Sequence, residues 1–256
     1  MTIKLYAFTC GWLTGPMEGF IEGESGRLRV PVPCFLIDHP RGKVLFDTGM
    51  HTQTQADPEG RLGWLAKVFD VEFHGGEEIA TRLAEIDIDV ARIDYLINSH
   101  LHFDHVGGNH AVANARLIVQ RAEWQAGRDA DLIQSNGYNP RDYDLGHNVH
   151  QVDGEHDLFG DGTVVCIPTY GHTPGHQSLR VRLDRREVVL TSDACYLRRT
   201  LEELRLPSVV HDRREMLRSL ERLRELRAAG AEIVFGHDPE YWKTVPQAPV
   251  PISEDR

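Results

Sequence analysis

"SHLHFDHVGGNH" (Ser99–His110) places four histidines and one aspartate within twelve residues, with Leu101 and Phe103 threaded between them. The run that leads into it, "IDYLINS", is short, apolar and β-like. In extended backbone, residues i and i+2 point to the same side, so His100 and His102 can face one ion. Asp104 and His105 follow as the chain turns through "VGGN". Gly107 and Gly108 there permit a tight turn and close backbone approach, and Asn109 is placed to cap the next helix. In a chain of 256 residues with 14 histidines, HxHxDH arises by chance in roughly three such chains per thousand. Histidines at this spacing beside an aspartate point to a metal site.

A second cluster lies further along. "PTYGHTPGHQS" holds His172 and His176 in a Gly/Pro-rich turn between two β-like runs, a position from which a side chain can be aimed into a cleft. "VVLTSDACY" ends an apolar run in Asp193, and "EIVFGHD" ends another in His237. Strand ends that each carry such a residue suggest convergence on one rim.

Composition limits the setting. The apolar fraction of 41% and charged fraction of 26% are those of a globular protein. No apolar run is long enough to span a membrane. The N-terminus "MTIKLYAFTCGW" lacks the apolar stretch and cleavage site of a signal peptide, so a cytoplasmic location is expected. A net charge of −11 argues against nucleic acid as partner, because a phosphate-tracking surface needs a basic stripe. The Arg-rich "RREMLRSLERLRELR" is interleaved with Glu215, Glu221 and Glu225, as on a solvated helix face. The cysteines Cys10, Cys34, Cys166 and Cys195 are widely spaced, with no CxxC, and read as reduced packing residues.

Short β-like runs ("IKLYAF", "CFLID", "KVLFD", "ARLIVQ", "TVVCIPT", "QSLRVRL", "EVVLTS") alternate with helical patterns. "GEEIATRLAEI" carries Ile79, Leu83 and Ile86 at helical spacing. From about Asp212 to Ala229 a longer helix is expected, with Asp212 as N-cap, Glu215 three residues on, a stripe of Leu217, Leu220, Leu223 and Leu226, and Gly230 as the stop. The alternation predicts a layered α/β fold, sheets inside and helices outside, as one domain over residues 1–256. Residues 127–147 have no clean periodicity, and such an irregular excursion can border a pocket.

In combination, HxHxDH, "GHTPGH", "SDACY" and "FGHD", with "LFDTG" upstream, resemble the metallo-β-lactamase superfamily over about Val32 to Asp238. The resemblance implies a four-layer αββα sandwich with a two-metal site at the edge of the sheets. It implies that His100, His102 and His172 hold one metal, that Asp104, His105 and His237 hold the other, and that Asp193 bridges. Asp47 of "LFDTG" matches a buried aspartate that orients ligands, and His176 is left a structural role. Five imidazoles and two carboxylates suit zinc first, with cobalt, manganese or iron also compatible.

"VPVPCFLIDHPRGKVLFDTGM" (Val30–Met50) and a tyrosine three residues after Asp193 narrow the resemblance to the N-acyl-homoserine lactonases, the quorum-quenching enzymes, with Cys34 departing at one position. The implied reaction is hydrolysis of the lactone ring by a hydroxide shared between the metals, with Tyr196 polarising the carbonyl and Asp104 as general acid. A homodimer is implied as well. Trp12, Met17 and Phe20, in a Gly-rich segment read as too irregular for a strand, and the region from Trp64 to Phe73 are expected to line an acyl groove. The alternative is another hydrolase of this fold, acting on broader esters, thioesters or phosphotriesters. Fewer than twenty residues follow His237, which disfavours the glutathione thioester hydrolases with their basic C-terminal extension. A diiron redox protein of this fold would carry a carboxylate where His102 stands.

Overall fold

The computed structural model describes residues 2–252. Its strands, in chain order, are β1 (Lys4–Pro16), β2 (Arg27–His39), β3 (Gly42–Phe46), β4 (Asp70–Glu72), β5 (Tyr95–Ile97), β6 (Arg116–Gln120), β7 (Asn148–Val152), β8 (His156–Asp157), β9 (Val164–Pro168), β10 (Gln177–Arg182), β11 (Glu187–Leu190) and β12 (Glu232–Val234). The helices are α1 (Pro58–Leu62), α2 (Ile79–Ala84), α3 (Phe103–Val106), α4 (Arg121–Ala126), α5 (Ala130–Asn136), α6 (Pro140–Tyr143), α7 (Arg198–Glu203), α8 (Arg213–Ala228) and α9 (Pro239–Trp242).

One sheet runs β4-β1-β2-β3-β5-β6-β7 and the other β12-β11-β10-β9-β8. Strands β3, β5, β6 and β7 are parallel neighbours, as are β11 and β12; the remaining pairings are antiparallel. Alternation along each strand builds the layers. Val44 and Phe46 of β3 join Val188 and Leu190 of β11 in the cluster between the sheets. Leu45 faces the other way, with Leu83 of α2 and Trp124 of α4. Val189 packs with Leu201 of α7 and with Leu220 and Leu223 of α8. Both faces of both sheets are covered, which is why the strands read as near-continuous apolar runs. The result is the αββα sandwich that the sequence motifs imply.

Helix α8 starts where expected: the Asp212 side chain accepts from the backbone N–H groups of Arg214 and Glu215. Its buried stripe is Met216, Ser219, Leu220 and Leu223, while Leu217 and Leu226 are only half-buried. Its arginines pair with glutamates, among them Arg222 with Glu155 and Arg227 with Glu202, consistent with a solvated face. Among the described residues no helix is long and apolar enough to cross a membrane.

Three local expectations are corrected. The segment "CGWLTGP" does not leave the sheet: it continues β1, with Trp12 paired to Pro31 and Glu72 after a register shift. Residues 127–147 are not irregular throughout, since α5 and α6 start at the caps Asp129 and Asn139. Asn109 caps nothing; it is buried, exchanges two amide hydrogen bonds with Asn98 and accepts one from Thr48 Oγ1.

Gly107 and Gly108 serve close approach rather than an unusual turn. Their φ values are −59° and −88°, which any residue adopts. A Cβ on Gly107 would lie 2.3 Å from the His51 nitrogen, and one on Gly108 2.3 Å from the Thr48 carbonyl oxygen. Gly108→Ala is therefore expected to overpack the joint between the two motif loops by about 1–3 kcal/mol. In a chain of this size that lowers Tm by about 2–12 °C. Calorimetry finding an unchanged Tm would contradict this reading.

Candidate metal centre

The candidate residues sit where strands end. Asp47 follows β3, His100 and His102 follow β5, His172 follows β9, Asp193 follows β11 and His237 follows β12. The carboxyl ends of β3, β5, β11 and β12 thus meet at one edge of the sandwich, the place where parallel strands leave room for a ligand. His100 and His102 lie just beyond β5, not within it, and Asp104 and His105 are already on the helical turn α3. Two of the four non-glycine residues with positive φ among the described residues belong to this region, Asp47 (φ 59°) and Ser192 (φ 47°). Both lie directly under the site, where the surrounding hydrogen bonds hold them.

The imidazoles and carboxylates fall into two facing groups. His100, His102, His172 and Asp193 offer one atom each, and Asp104, His105 and His237 do likewise, with each set of atoms lying within 4.8 Å of one another. His102 Nδ1 stands 2.9 Å from His100 Nε2 and 3.0 Å from His172 Nε2. Asp193 reaches both groups. Its Oδ2 lies 3.7 Å from His100 Nε2 and 3.3 Å from His172 Nε2, whereas Oδ1 lies 3.1 Å from His105 Nε2 and 3.0 Å from His237 Nε2. Asp104 Oδ2 is 3.5 Å from His105 Nε2 and 3.8 Å from His237 Nε2.

Each imidazole is anchored through its far nitrogen, which leaves the near one to the site. His105 Nδ1 donates to Asp47 Oδ2 (2.9 Å), His237 Nδ1 to the Pro31 carbonyl (2.7 Å) and His102 Nε2 to the Asn136 carbonyl (2.9 Å). His100 Nδ1 lies 2.9 Å from Ser99 Oγ, and His172 Nδ1 lies 3.1 Å from the Tyr196 hydroxyl. Ser99 in turn donates its N–H and hydroxyl to Asp47, both at 2.7 Å, and accepts from Ser192 Oγ at 2.9 Å. His176 offers nothing to either group. It accepts the Asp193 backbone N–H at 3.2 Å and so fixes the backbone of the shared carboxylate.

Asp47 therefore orients His105 and, through Ser99, His100. Asp47→Asn turns an NH2 group against donors that need an acceptor. It is expected to weaken divalent-ion affinity about 10–100-fold, measured by chelator competition, with the fold retained. Unchanged affinity would contradict the orienting role.

The electrostatics favour cations. Burial pushes the pKa values of His100 and His172 well below the usual imidazole value, so their lone pairs are available. Burial acts the same way on His105 and His237, but the carboxylates of Asp193 and Asp104 outweigh it and hold both above the usual value. Burial would raise Asp193, yet the surrounding histidines, His105 foremost, hold it well below the carboxylate range. His105 Nε2 is buried without a hydrogen-bond partner, although Asp193 Oδ1 is 3.1 Å away, so the two atoms converge on a point instead of bonding to each other. A donor set of imidazoles and carboxylates converging in this way fits divalent metal.

The two groups open into a cavity of about 490 Å³ lined by apolar residues that include Leu13, Phe20, Leu65, Phe69 and Phe103. Its floor includes His102, Asp104, His172, Asp193, Tyr196 and His237. Trp64 (62% exposed) and Val209 (79% exposed) flank its mouth. Of the three N-terminal residues expected there, Phe20 lines the cavity and packs edge-on against Tyr196 at 5.5 Å. Trp12 does not; it stacks under Arg29 (3.9 Å) and packs against the cluster between the sheets. Nor does Met17, which lies half-buried against the neighbouring core. Alternation along β1 explains the exchange, because Leu13, one residue on, faces the opposite side. Residues 135–137 of the excursion also line the cavity.

Sequence reasoning missed Ser99, Ser192, Pro31 and Asn136. Two of these act through backbone carbonyls, which carry no residue-type signal. The serines adjoin His100 and Asp193 in sequence, which is the one signal that could have found them.

The family model described as the metallo-beta-lactamase superfamily matches residues 27–237, so the chain belongs to that superfamily. It is 34% identical over 256 residues to the N-acyl homoserine lactonase AttM of Azorhizobium caulinodans, covering 96% of this chain and 97% of that one. An N-acyl homoserine lactonase of a Bacillus species is 34% identical over 83% of each chain. Among solved structures, an N-acyl homoserine lactone hydrolase with the product N-hexanoyl-L-homoserine bound at its catalytic metal center superposes with a TM-score of 0.88 at 29% identity, covering 98% of this chain and 100% of that one. Within the superfamily, the chain belongs with the N-acyl homoserine lactonases.

Proposed function

We propose that this chain hydrolyses the lactone ring of N-acyl homoserine lactones to N-acyl homoserines, with two divalent metal ions, zinc foremost, as resident cofactors. The observation that carries this reading is Asp193, whose two oxygens face two separate groups of imidazoles at the floor of an apolar cavity. His100, His102 and His172 would hold one ion, Asp104, His105 and His237 the other, and Asp193 both. When bound, such ions supply Lewis acidity and lower the pKa of water toward neutrality.

The chain's own residues do the rest. Tyr196 is buried, and burial together with Asp193 and Asp104 raises its pKa well above the ordinary phenol value, so it stays a neutral donor. With His172 Nδ1 donating to its oxygen, the phenol can turn its proton from the Asp193 carboxylate to the lactone carbonyl oxygen, where negative charge develops as water adds to the carbon. Burial would raise the Asp104 pKa, yet His105 foremost holds it below the ordinary carboxylate value, so Asp104 starts ionised and takes the proton that the attacking water gives up. The ring C–O bond then breaks, and the leaving oxygen receives that proton from Asp104 in the cavity floor. The products are one carboxylic acid and one alcohol, so each turnover releases a proton at neutral pH. The apolar walls take the acyl chain and exclude water. A homodimer is the assembly carried over from the family resemblance, and a cytoplasmic location is the one expected from the sequence reading.

The test compares kcat/KM for short- and long-chain N-acyl homoserine lactones, a simple lactone and a thioester. Each buried methylene contributes about 0.8 kcal/mol, so kcat/KM is expected to rise about fourfold per methylene until the chain leaves the cavity. Equal or better turnover of the thioester would overturn the lactonase reading.

A further inference from the structure

Glu123, on α4, is fully buried, lies outside the cavity and has four hydrogen-bond donors, none of them a cation. Its Oε1 accepts the Leu101 backbone N–H at 3.0 Å and the Tyr138 hydroxyl at 2.6 Å. Oε2 accepts the Gly175 backbone N–H at 2.8 Å and the Thr173 hydroxyl at 2.9 Å. Leu101 lies between His100 and His102, and Thr173 and Gly175 follow His172. The carboxylate therefore ties together the two loops that supply the first imidazole group. Through Tyr138, whose ring centroid lies 5.5 Å from that of His102, it also reaches the segment whose Asn136 carbonyl orients His102. The contact is backbone-close: a Cβ on Gly175 would fall 2.1 Å from the Glu123 nitrogen. The second group is held without Glu123, through Asp47 and the Pro31 carbonyl, although Asp47 also reaches His100 through Ser99.

We infer that Glu123 is a positioning residue that sets His100, His102 and His172 in register, and so tunes the affinity of one metal position while leaving the other unchanged. The inference rests on the metal reading above. Each oxygen of Glu123 serves one backbone N–H and one hydroxyl. A hydroxyl can turn to accept, but a backbone N–H cannot, so a glutamine here must set its NH2 against one loop or the other.

The experiment loads wild type and Glu123→Gln with Co2+ and follows the absorption spectrum during chelator competition. The variant is expected to keep one ion with wild-type affinity and to hold the other about 10–100-fold more weakly, with saturating Co2+ restoring turnover. Thr173→Val, which removes one donor, is expected to weaken the same ion by less, and Thr173→Ser to restore it. This pair decides the matter if Glu123→Gln does not fold. Wild-type affinity for both ions in Thr173→Val and in any folded Glu123→Gln, or equal weakening of both ions, overturns the positioning role alone. A wild-type chain that binds no divalent ion overturns the metal reading and this inference together.

Discussion

Asp193→Asn is expected to lower kcat/KM by about a thousandfold or more, the largest effect of any single substitution in this chain. The reason is geometric and electrostatic at once. Among the described residues, Asp193 is the one carboxylate whose oxygens separately approach both imidazole groups, Oδ2 the first and Oδ1 the second. An amide of the same shape presents one oxygen and one NH2 group, so an ion held by one of the two groups would meet an NH2 that offers it no lone pair. The lost negative charge also removes attraction for a divalent cation lying between the two groups. Metal assistance supplies several kcal/mol of transition-state stabilisation, and each 1.36 kcal/mol is tenfold in rate. Metal content and steady-state kinetics on one preparation check this. The variant should bind fewer ions and lose turnover together, and retention of both would remove Asp193 from the centre of the site.

Tyr196→Phe, assayed at saturating metal, tests the chemical step. It deletes one hydroxyl and keeps the ring that packs edge-on against Phe20 and lies 5.7 Å from the His172 ring. The expected loss is about 10²–10³-fold in kcat, the scale seen when one oxyanion donor is removed from an acyl-transfer site. At saturating metal KM is expected to change little, because the hydroxyl acts on charge that develops only in the transition state. Metal affinity is followed alongside, because the same hydroxyl anchors His172 Nδ1. A rise in KM with kcat unchanged would instead make Tyr196 a binding residue.

The metal groups were legible in the sequence because their chemistry resides in the side chains and their spacing is short. His100, His102, Asp104 and His105 lie on one turn, and Asp193 and His237 each end an apolar run. The layer order was legible for a similar reason, since strands covered on both faces lack polar residues. What stayed hidden depends on which face a residue presents. Trp12 reads as a groove residue until the continuation of β1 shows that Leu13 faces the cavity. Glu123 sits in "RAEWQA", where an acid on a short helix reads as solvated, and only its complete burial marks it. The left-handed backbone at Asp47 and Ser192 carries no residue-type signal, because neither is the glycine such a conformation favours.

Metal-dependent ring opening is followed most directly as acid release from an N-acyl homoserine lactone at constant pH, first with the chain stripped by chelator and then during stepwise reloading with Zn2+. The expected result is no release from the stripped chain, and activity that climbs as the two groups fill and then levels off. Acid release at an undiminished rate from the stripped chain would contradict the account, as would a fully reloaded chain that leaves the lactone intact.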